Sequence, residues 1–213
     1  MISVSLFLTR KQNILEILKA YESMDCIDEI LIVSLEKLEI QNKPDKFKMI
    51  YMPKDSDLGL LSRYTFALSC RNRFVFIQDD DWVYEESVLN KLINAKEPLI
   101  GCHPRWFINN EYAKQPLTNT ITAPILLTCG VLVDTWYLPA VIQDAKLFWK
   151  DYQNVFNGED IFMSRAIARA SGKDEFLFIN EGFKGLDMSN PLWQKNDNKR
   201  TTITKEIYNY FNA

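Results

Sequence analysis

Histidine is almost missing from these 213 residues: His103 stands alone, and the four cysteines (Cys26, Cys70, Cys102 and Cys129) form no CxxC pair. A structural zinc site, which needs four nitrogen or sulfur ligands at short spacings, has no candidate ligand set. The even cysteine count would permit disulfides, but each cysteine lies in or beside an apolar segment, which reads as buried free thiols. Basic excess is missing too. With 25 Lys and Arg against 28 Asp and Glu, the net charge is -3 and the pI about 5.3, which argues against a nucleic-acid binder. No long block of one charge sign supports a membrane-surface role. Nor does a basic segment followed by a long apolar run open the chain. Ile2-Ser3-Val4-Ser5-Leu6-Phe7-Leu8 enters a strand pattern directly, so no signal peptide or membrane span is read, and a cytoplasmic protein is expected. There are no internal repeats and no low-complexity stretches. A hydrophobic content of 47% and an aromatic content of 13% are those of a packed domain with a substantial core.

What is present centres on Phe74-Val75-Phe76-Ile77-Gln78-Asp79-Asp80-Asp81. The apolar run suits a central strand of a largely parallel sheet. Aspartate is a poor strand former, so the three carboxylates belong just past the strand's carboxyl end, where open α/β sheets bind ligands. Crowded carboxylates repel one another unless a positive charge arrives, and a divalent cation carrying phosphates answers that need. A solvated acidic turn is the plainer alternative.

Around this strand the pattern predicts strands at Ile2–Leu8, Ile27–Ser34, Phe47–Met52 and Leu99–Cys102, and helices at Lys11–Met24, Leu60–Ser69 and Glu85–Asn94. That β-α-β-β-α-β rhythm predicts one α/β domain with a mostly parallel central sheet flanked by helices. Farther on, 106–122 reads as irregular. Ile125–Val133 reads as strand interrupted at Cys129-Gly130, and Trp136–Trp149 as helix. Ile161–Ser171 reads as a helix stopped by Gly172, and Glu175–Ile179 as a late strand. A polar loop over 180–200 then leads into a last helix, Thr201–Phe211.

Several groups could carry chemistry. Asp81 reads as the direct metal ligand, with Asp79 helping or holding a sugar or ribose hydroxyl. Asn157-Gly158-Glu159-Asp160 is either a helix cap or the source of a carboxylate facing a reacting sugar carbon. Arg10, Arg63 and Arg105 lie at or near strand ends, and Lys195, Lys199 and Arg200 in the late loop. Such cations suit an anionic ligand, since guanidinium groups bind diphosphate bidentately. His103 and Gly130 could line the pocket and Trp193 could cover a sugar, although packing explains each as well.

With these residues in view, the chain resembles exostosin-type glycosyltransferases (family 64-like), whose catalytic domain has the GT-A fold. The likeness runs over nearly the whole chain. Ser5-Leu6-Phe7-Leu8-Thr9-Arg10 looks like the family's first strand and the arginine after it. Ser62-Arg63 looks like its Asn-Arg, at the family's distance ahead of the triple aspartate. Phe76-Ile77-Gln78-Asp79-Asp80-Asp81 looks like its strand with Asp-Asp-Asp. Ile100-Gly101-Cys102-His103-Pro104-Arg105 is similar to Val-Gly-Phe-x-Pro-Arg, and Glu159-Asp160-Ile161-Phe162-Met163 to Asp-Asp-Ile-Ala-Met. Leu192-Trp193 and Arg200-Thr201 are similar to the closing Met-Trp and Arg-Ser.

The resemblance implies a UDP-sugar donor (an N-acetylhexosamine among the candidate sugars), Mn2+ or Mg2+ as cofactor, and transfer to a carbohydrate or other hydroxyl acceptor with retention. It places Asp160, supported by Glu159, at the anomeric carbon and Asp81 with Asp79 on the metal. Arg10, Arg63, Asp79, Asp80, Arg105 and Arg200 would contact the donor, and His103, Gly130 and Trp193 the sugar pocket. Residues 1–101 would form the nucleotide-binding half, and 102–213 the acceptor and catalytic half. The chain departs from the family at Asp57-Leu58-Gly59-Leu60-Leu61, where a basic cluster is usual. It also has Gly158, with Ile203 or Thr202 opposite, where animal members carry a pair of cysteines. The alternatives are an inverting transferase with Asp160 as general base, a non-catalytic carbohydrate-binding protein, and a sugar-nucleotide nucleotidyltransferase, whose usual glycine- and lysine-rich loop after the first strand is not matched by Thr9-Arg10-Lys11-Gln12.

Overall fold

Two of the expected strands appear with the expected bounds, β1 (Ile2–Leu8) and β2 (Ile27–Ser34), joined by helix α1 (Ile14–Tyr21). The computed structural model describes residues 1–41, 43–53, 59–116, 119–149, 158–186 and 197–213. The chain continues through β3 (Phe47–Tyr51), α2 (Ser62–Ala67), β4 (Phe74–Asp79), β5 (Trp82–Tyr84), α3 (Glu86–Ala95) and β6 (Leu99–Gly101). Then come β7 (Pro104–Ile108), β8 (Glu111–Ala113), β9 (Thr122–Ala123), β10 (Ile125–Leu126) and β11 (Gly130–Asp134). The last elements are α4 (Leu138–Phe148), α5 (Glu159–Ser171), β12 (Phe176–Leu177), β13 (Phe183–Gly185) and α6 (Asp197–Asn212).

The central sheet has the order β3-β2-β1-β4-β11-β6. Strands β1 to β4 run parallel, while β11 is antiparallel to both β4 and β6. Strand β4 is apolar on both faces because both are covered. Val75 and Ile77 pack with Tyr64, Val131, Val133 and Ile161 on one side. Phe76 packs with Leu6, Ile32, Val88 and Leu132 on the other. After β2 and β3 the chain returns to place β4 on the opposite flank of β1. The order therefore reverses between β1 and β4, and the crevice beyond their carboxyl ends is where this topology admits a ligand.

The expectation of an irregular 106–122 is corrected. Strands β7 and β8 form a hairpin in which Ile108 pairs with Glu111. The two residues between them, Asn109 and Asn110, have φ of 53° and 65°. A two-residue turn with both φ positive matches the right-handed strand twist, and asparagine tolerates it. Strand β5 was not expected either; it pairs antiparallel with β13, a hundred residues later in the sequence. The expected interruption at Cys129-Gly130 separates β10 from β11. The loop expected over 180–200 contains β13, while 187–196 lies outside the described residues.

Helix α5 starts two residues earlier than expected, at Glu159, from Gly158 in the left-handed region (φ 99°). A Cβ at Gly158 would come within 3.0 Å of Ile203 Cγ1, so α5 and α6 meet closely there. All four cysteines are free; Cys102 and Cys129 are buried as expected, while Cys26 and Cys70 are only partly buried. Among the described residues, no helix is long and apolar enough to cross a membrane.

Gly130 opens β11 where the Tyr84 ring and hydroxyl fill the space of its missing side chain. A Cβ there would lie 2.2 Å from the Tyr84 oxygen. Gly130→Ala should therefore lower unfolding stability by about 1–3 kcal/mol through overpacking. An unchanged denaturant midpoint would contradict this packing.

Candidate active site

The three aspartates after β4 have three different roles. Asp80 turns inward, with 2% of its side chain exposed. Its carboxylate accepts from the Thr9 amide (2.5 Å), the Thr9 hydroxyl (2.9 Å), the Arg10 amide and Arg10 Nη1 (2.7 Å). Its carbonyl accepts from Asn13 Nδ2 at 2.9 Å. Sequence reasoning put Asp80 with the donor-binding residues. The structure instead encloses it as the tie between the ends of β1 and β4.

Asp79 is the most open of the three, with 35% of its side chain exposed, and it sits 3.1 Å from Arg63 Nη1. Asp81 is nearly enclosed. Its Oδ2 lies 3.4 Å from Arg10 Nη1, while no donor among the described residues reaches its buried Oδ1. Burial first, and then the charge of Asp79, push the Asp81 carboxyl up to about 6 against the opposing pull of Arg10. The Asp81 carbonyl accepts from the Leu186 amide at 2.7 Å, so the end of β13 is fastened to the acidic turn.

Helix α5 delivers a second acidic pair. Glu159 and Asp160 occupy its first turn, where the dipole favours negative charge, and both are buried. Asp160 Oδ1 accepts from the Ile161 amide at 2.8 Å. Glu159 Oε2 is buried with no donor among the described residues. Burial and the neighbouring Asp160 raise the Glu159 carboxyl above the usual carboxylate range, with Arg63 opposing.

Arg63 joins the two acidic groups. Its side chain is 10% exposed and Nη1 meets Asp79 at 3.1 Å, Glu159 Oε1 at 3.9 Å and the Thr128 hydroxyl. Burial works against its charge, but Asp79 and Glu159 outweigh it and its pKa rises. Arg10 is held likewise by Asp80 and Asp81. Both arginines, expected at the nucleotide, are thus engaged by the protein's own carboxylates.

Tyr112, which sequence reasoning missed, seats one of the other two expected arginines. Arg200 Nη1 donates to its hydroxyl at 3.3 Å and the guanidinium carbon lies 5.4 Å from its ring centre. Arg105, on the neighbouring strand of the hairpin, donates from Nη1 to the Pro104 carbonyl at 2.7 Å, and burial with the charge of Asp160 raises the Tyr112 pKa. The available signal was the Asn109-Asn110 turn, which puts Tyr112 opposite Phe107 and on the face shared with Arg105.

His103 lies against Trp82 and Phe183, with both ring centroids at 4.6 Å, and its Nε2 meets the Tyr84 hydroxyl at 2.8 Å. Burial, helped by Arg105, lowers its pKa to about 3, so it is neutral. The Tyr84 hydroxyl also donates to the Cys129 carbonyl at 2.6 Å. His103 and Gly130 therefore share an aromatic cluster beneath the acidic turn. Trp193, Asn157 and Lys195 lie outside the described residues.

Among the described residues, no three His, Cys, Asp or Glu side chains form a ready cage for a metal. The donor set nevertheless suits a hard cation. Asp81 brings a buried oxygen lacking a donor, Asp79 a half-open carboxylate, and a magnesium-like ion commonly takes one or two carboxylates with substrate phosphates and water.

No family model and no curated protein matches the chain. Solved structures do. GalNAc-T7, crystallised with UDP, GalNAc and Mn2+, superposes with a TM-score of 0.62 and 10% identity, over 100% of this chain and 50% of that one. S. aureus TarS 1-349 in complex with UDP-GlcNAc gives 0.56 and 12%, over 92% of this chain and 61% of that one. TarS 1-349 without the sugar nucleotide gives 0.54 and 13%. The chain thus spans from half to about seven-tenths of the length of these structures. Its mixed α/β architecture, with the mainly parallel central sheet, is the GT-A fold of nucleotide-sugar transferases.

Proposed function

We propose that the chain is a metal-dependent glycosyltransferase that moves a sugar from a UDP-sugar to a hydroxyl acceptor. The observation that carries this is Asp81: a buried carboxylate oxygen without a donor, beside Asp79, in the crevice between β1 and β4. GalNAc-T7 with UDP, GalNAc and Mn2+, and TarS with UDP-GlcNAc, share the fold and support UDP-sugar as the donor class. The resemblance to exostosin-type enzymes supports retention at the anomeric carbon, and product anomeric configuration by NMR separates retention from inversion.

In this reading Asp81 and Asp79 hold Mn2+ or Mg2+. The ion supplies positive charge against the diphosphate as the bond to the anomeric carbon breaks. Asp80 fixes the turn by binding the amides of Thr9 and Arg10. Arg63 keeps Asp79 and Glu159 at a set separation and limits the repulsion between the two acidic groups. Arg200, seated on Tyr112, meets the diphosphate, and Arg105 meets the sugar. Asp160 sits by the anomeric carbon, where a carboxylate stabilises developing positive charge. Glu159 beside it retains a proton more readily than an ordinary carboxyl, which lowers the charge Asp160 must share space with. Residues 1–101 hold the nucleotide and 102–213 the catalytic groups.

Asp81→Ala should abolish Mn2+-dependent hydrolysis of the UDP-sugar while leaving the unfolding midpoint unchanged or higher, since it removes a carboxylate whose buried Oδ1 has no donor among the described residues. Hydrolysis equal to the unsubstituted protein would overturn the metal assignment. Asp160→Asn should lower turnover by at least about a hundredfold, at the scale of general catalytic groups, with a much smaller change in donor affinity. Intact turnover would remove Asp160 from the chemistry.

The raised Asp81 pKa gives a signed pH dependence. Because the folded pKa is above the unfolded value, ionised Asp81 costs stability, and its contribution falls as pH rises through about 6. Protons and metal then compete for the same oxygen. In calorimetry with UDP present, Mn2+ affinity should be flat above about pH 7 and weaken by roughly tenfold per unit well below 6. Affinity that stays flat down to pH 5 would contradict Asp81 as a ligand.

A further inference from the structure

The central sheet has one covered edge and one open edge. Along β6 the chain adds a further bridge, Gly101 to Phe178, and the Ile179 amide donates to the Gly101 carbonyl at 2.9 Å. Along β3 no strand lies beyond among the described residues. The parallel register of β2 and β3 fixes which groups of β3 face outward. The Ile30 amide donates to the Lys46 carbonyl at 2.8 Å, and the Met52 amide donates to the Ser34 carbonyl at 2.9 Å. Between these two bonds, Lys48 and Ile50 turn their amides and carbonyls toward β2. Phe47, Met49 and Tyr51 turn theirs away from it.

This outward row is closed at both ends. The Phe47 amide donates to the Pro44 carbonyl at 3.0 Å, and the Phe47 carbonyl accepts from Lys43 Nζ at 2.6 Å. Past Tyr51 the next outward position is Pro53, which has no N–H. Among the described residues, Met49 and Tyr51 alone in this row keep both an open N–H and an open C=O. Their side chains share one face of the strand. Met49 there is half-buried, and Tyr51 is 47% exposed with Lys37 Nζ 5.7 Å from its ring centre. Ile50, also half-buried, is on the other face with Lys48, whose Nζ is tied to Glu29 at 2.6 Å.

We propose that β3 pairs antiparallel with β3 of a second copy of this chain, about a two-fold axis at Ile50, joining two six-stranded sheets into one. Register is the reason for choosing a second copy. Met49 set opposite Tyr51 of the second copy, and Tyr51 opposite its Met49, matches every open N–H with an open C=O. The same register puts Pro53 opposite Phe47, so the residue that cannot donate faces a carbonyl already served by Lys43. An axis at Met49 would instead set Tyr51 against the occupied Phe47, and an axis at Tyr51 would set Met49 against Pro53. The side chains agree. Met49 meets a Tyr51 ring in a favourable sulfur–aromatic contact, and the two Ile50 side chains meet on the axis. Lys48 falls opposite Met52 of the second copy, so no like charges are opposed. A peptide of another sequence finds the same short edge without this reciprocal match. The inference does not depend on the transferase reading, since β2 separates β3 from the strands that bound the crevice.

So short a pairing is weak, and a dissociation constant on the order of 100 μM is expected. Sedimentation velocity on the full chain from about 10 μM to about 1 mM should show monomer passing to dimer. Amide hydrogen exchange by NMR at the two concentrations gives the readout by residue. The Met49 and Tyr51 amides should exchange at least about threefold more slowly at the higher concentration, while those of Lys48 and Ile50 stay protected at both. Tyr51→Pro removes one outward N–H without touching the bonds to β2, and Ile50→Lys sets like charges together on the axis. Each should weaken the dimer at least about tenfold while the near-UV circular dichroism of the chain is kept. A chain that stays monomeric to about 1 mM would overturn the proposal. So would self-association that leaves the Met49 and Tyr51 amides unprotected, or a dimer that survives both substitutions. Should a variant fail to fold, concentration-dependent exchange in the unsubstituted chain decides by itself.

Discussion

Repulsion among carboxylates at one edge of the sheet is the constraint around which this molecule is arranged. Asp79, Asp80 and Asp81 leave β4 together, and α5 brings Glu159 and Asp160 to the same region. Left alone such a group would be destabilising. The fold disposes of the excess charge in three ways. Asp80 is neutralised by backbone amides and Arg10, Asp79 and Glu159 share Arg63, and Glu159 leans toward its protonated form. Two buried oxygens are left without a donor among the described residues, Asp81 Oδ1 and Glu159 Oε2, and the one on Asp81, beside the half-open Asp79, is the chemical signal of the site.

This arrangement also explains why parts far apart in sequence are tied to the acidic turn. Strand β13 pairs with β5 and its following amide binds the Asp81 carbonyl. Tyr84 on β5 reaches across to the Cys129 carbonyl and occupies the space at Gly130. Trp82, His103 and Phe183 fill the volume beneath. A carboxylate set that must keep its geometry against mutual repulsion needs a stiff base, and packed aromatic rings provide one. The β7–β8 hairpin performs the complementary task on the other side, holding Tyr112 against Arg200 and within the influence of the Asp160 charge.

Much of this was legible in the sequence because it is local. The unbroken apolar run before Asp79 announced a strand buried on both faces, and β1 and β2 could be bounded to the residue. The individual roles of three identical aspartates were not legible. Which one turns inward depends on the amides of Thr9 and Arg10, seventy residues away. Likewise the engagement of Arg63 depends on α5, and the β5–β13 pairing on a contact between segments too short to declare themselves. The hairpin was different, since Asn109-Asn110 between two apolar-rich segments carried a readable turn signal. It concealed Tyr112.

The central claim is that the oxygen of Asp81 awaits a divalent cation in the crevice between β1 and β4. Paramagnetic broadening tests this directly: Mn2+ is added at substoichiometric amounts, with UDP, to the isotopically labelled chain. The amides of Thr9, Arg10, Asp79 to Asp81 and Leu186 should lose their signals first, while those of β3 at the far edge of the sheet persist. Signals at the acidic turn that survive while others vanish would contradict the account.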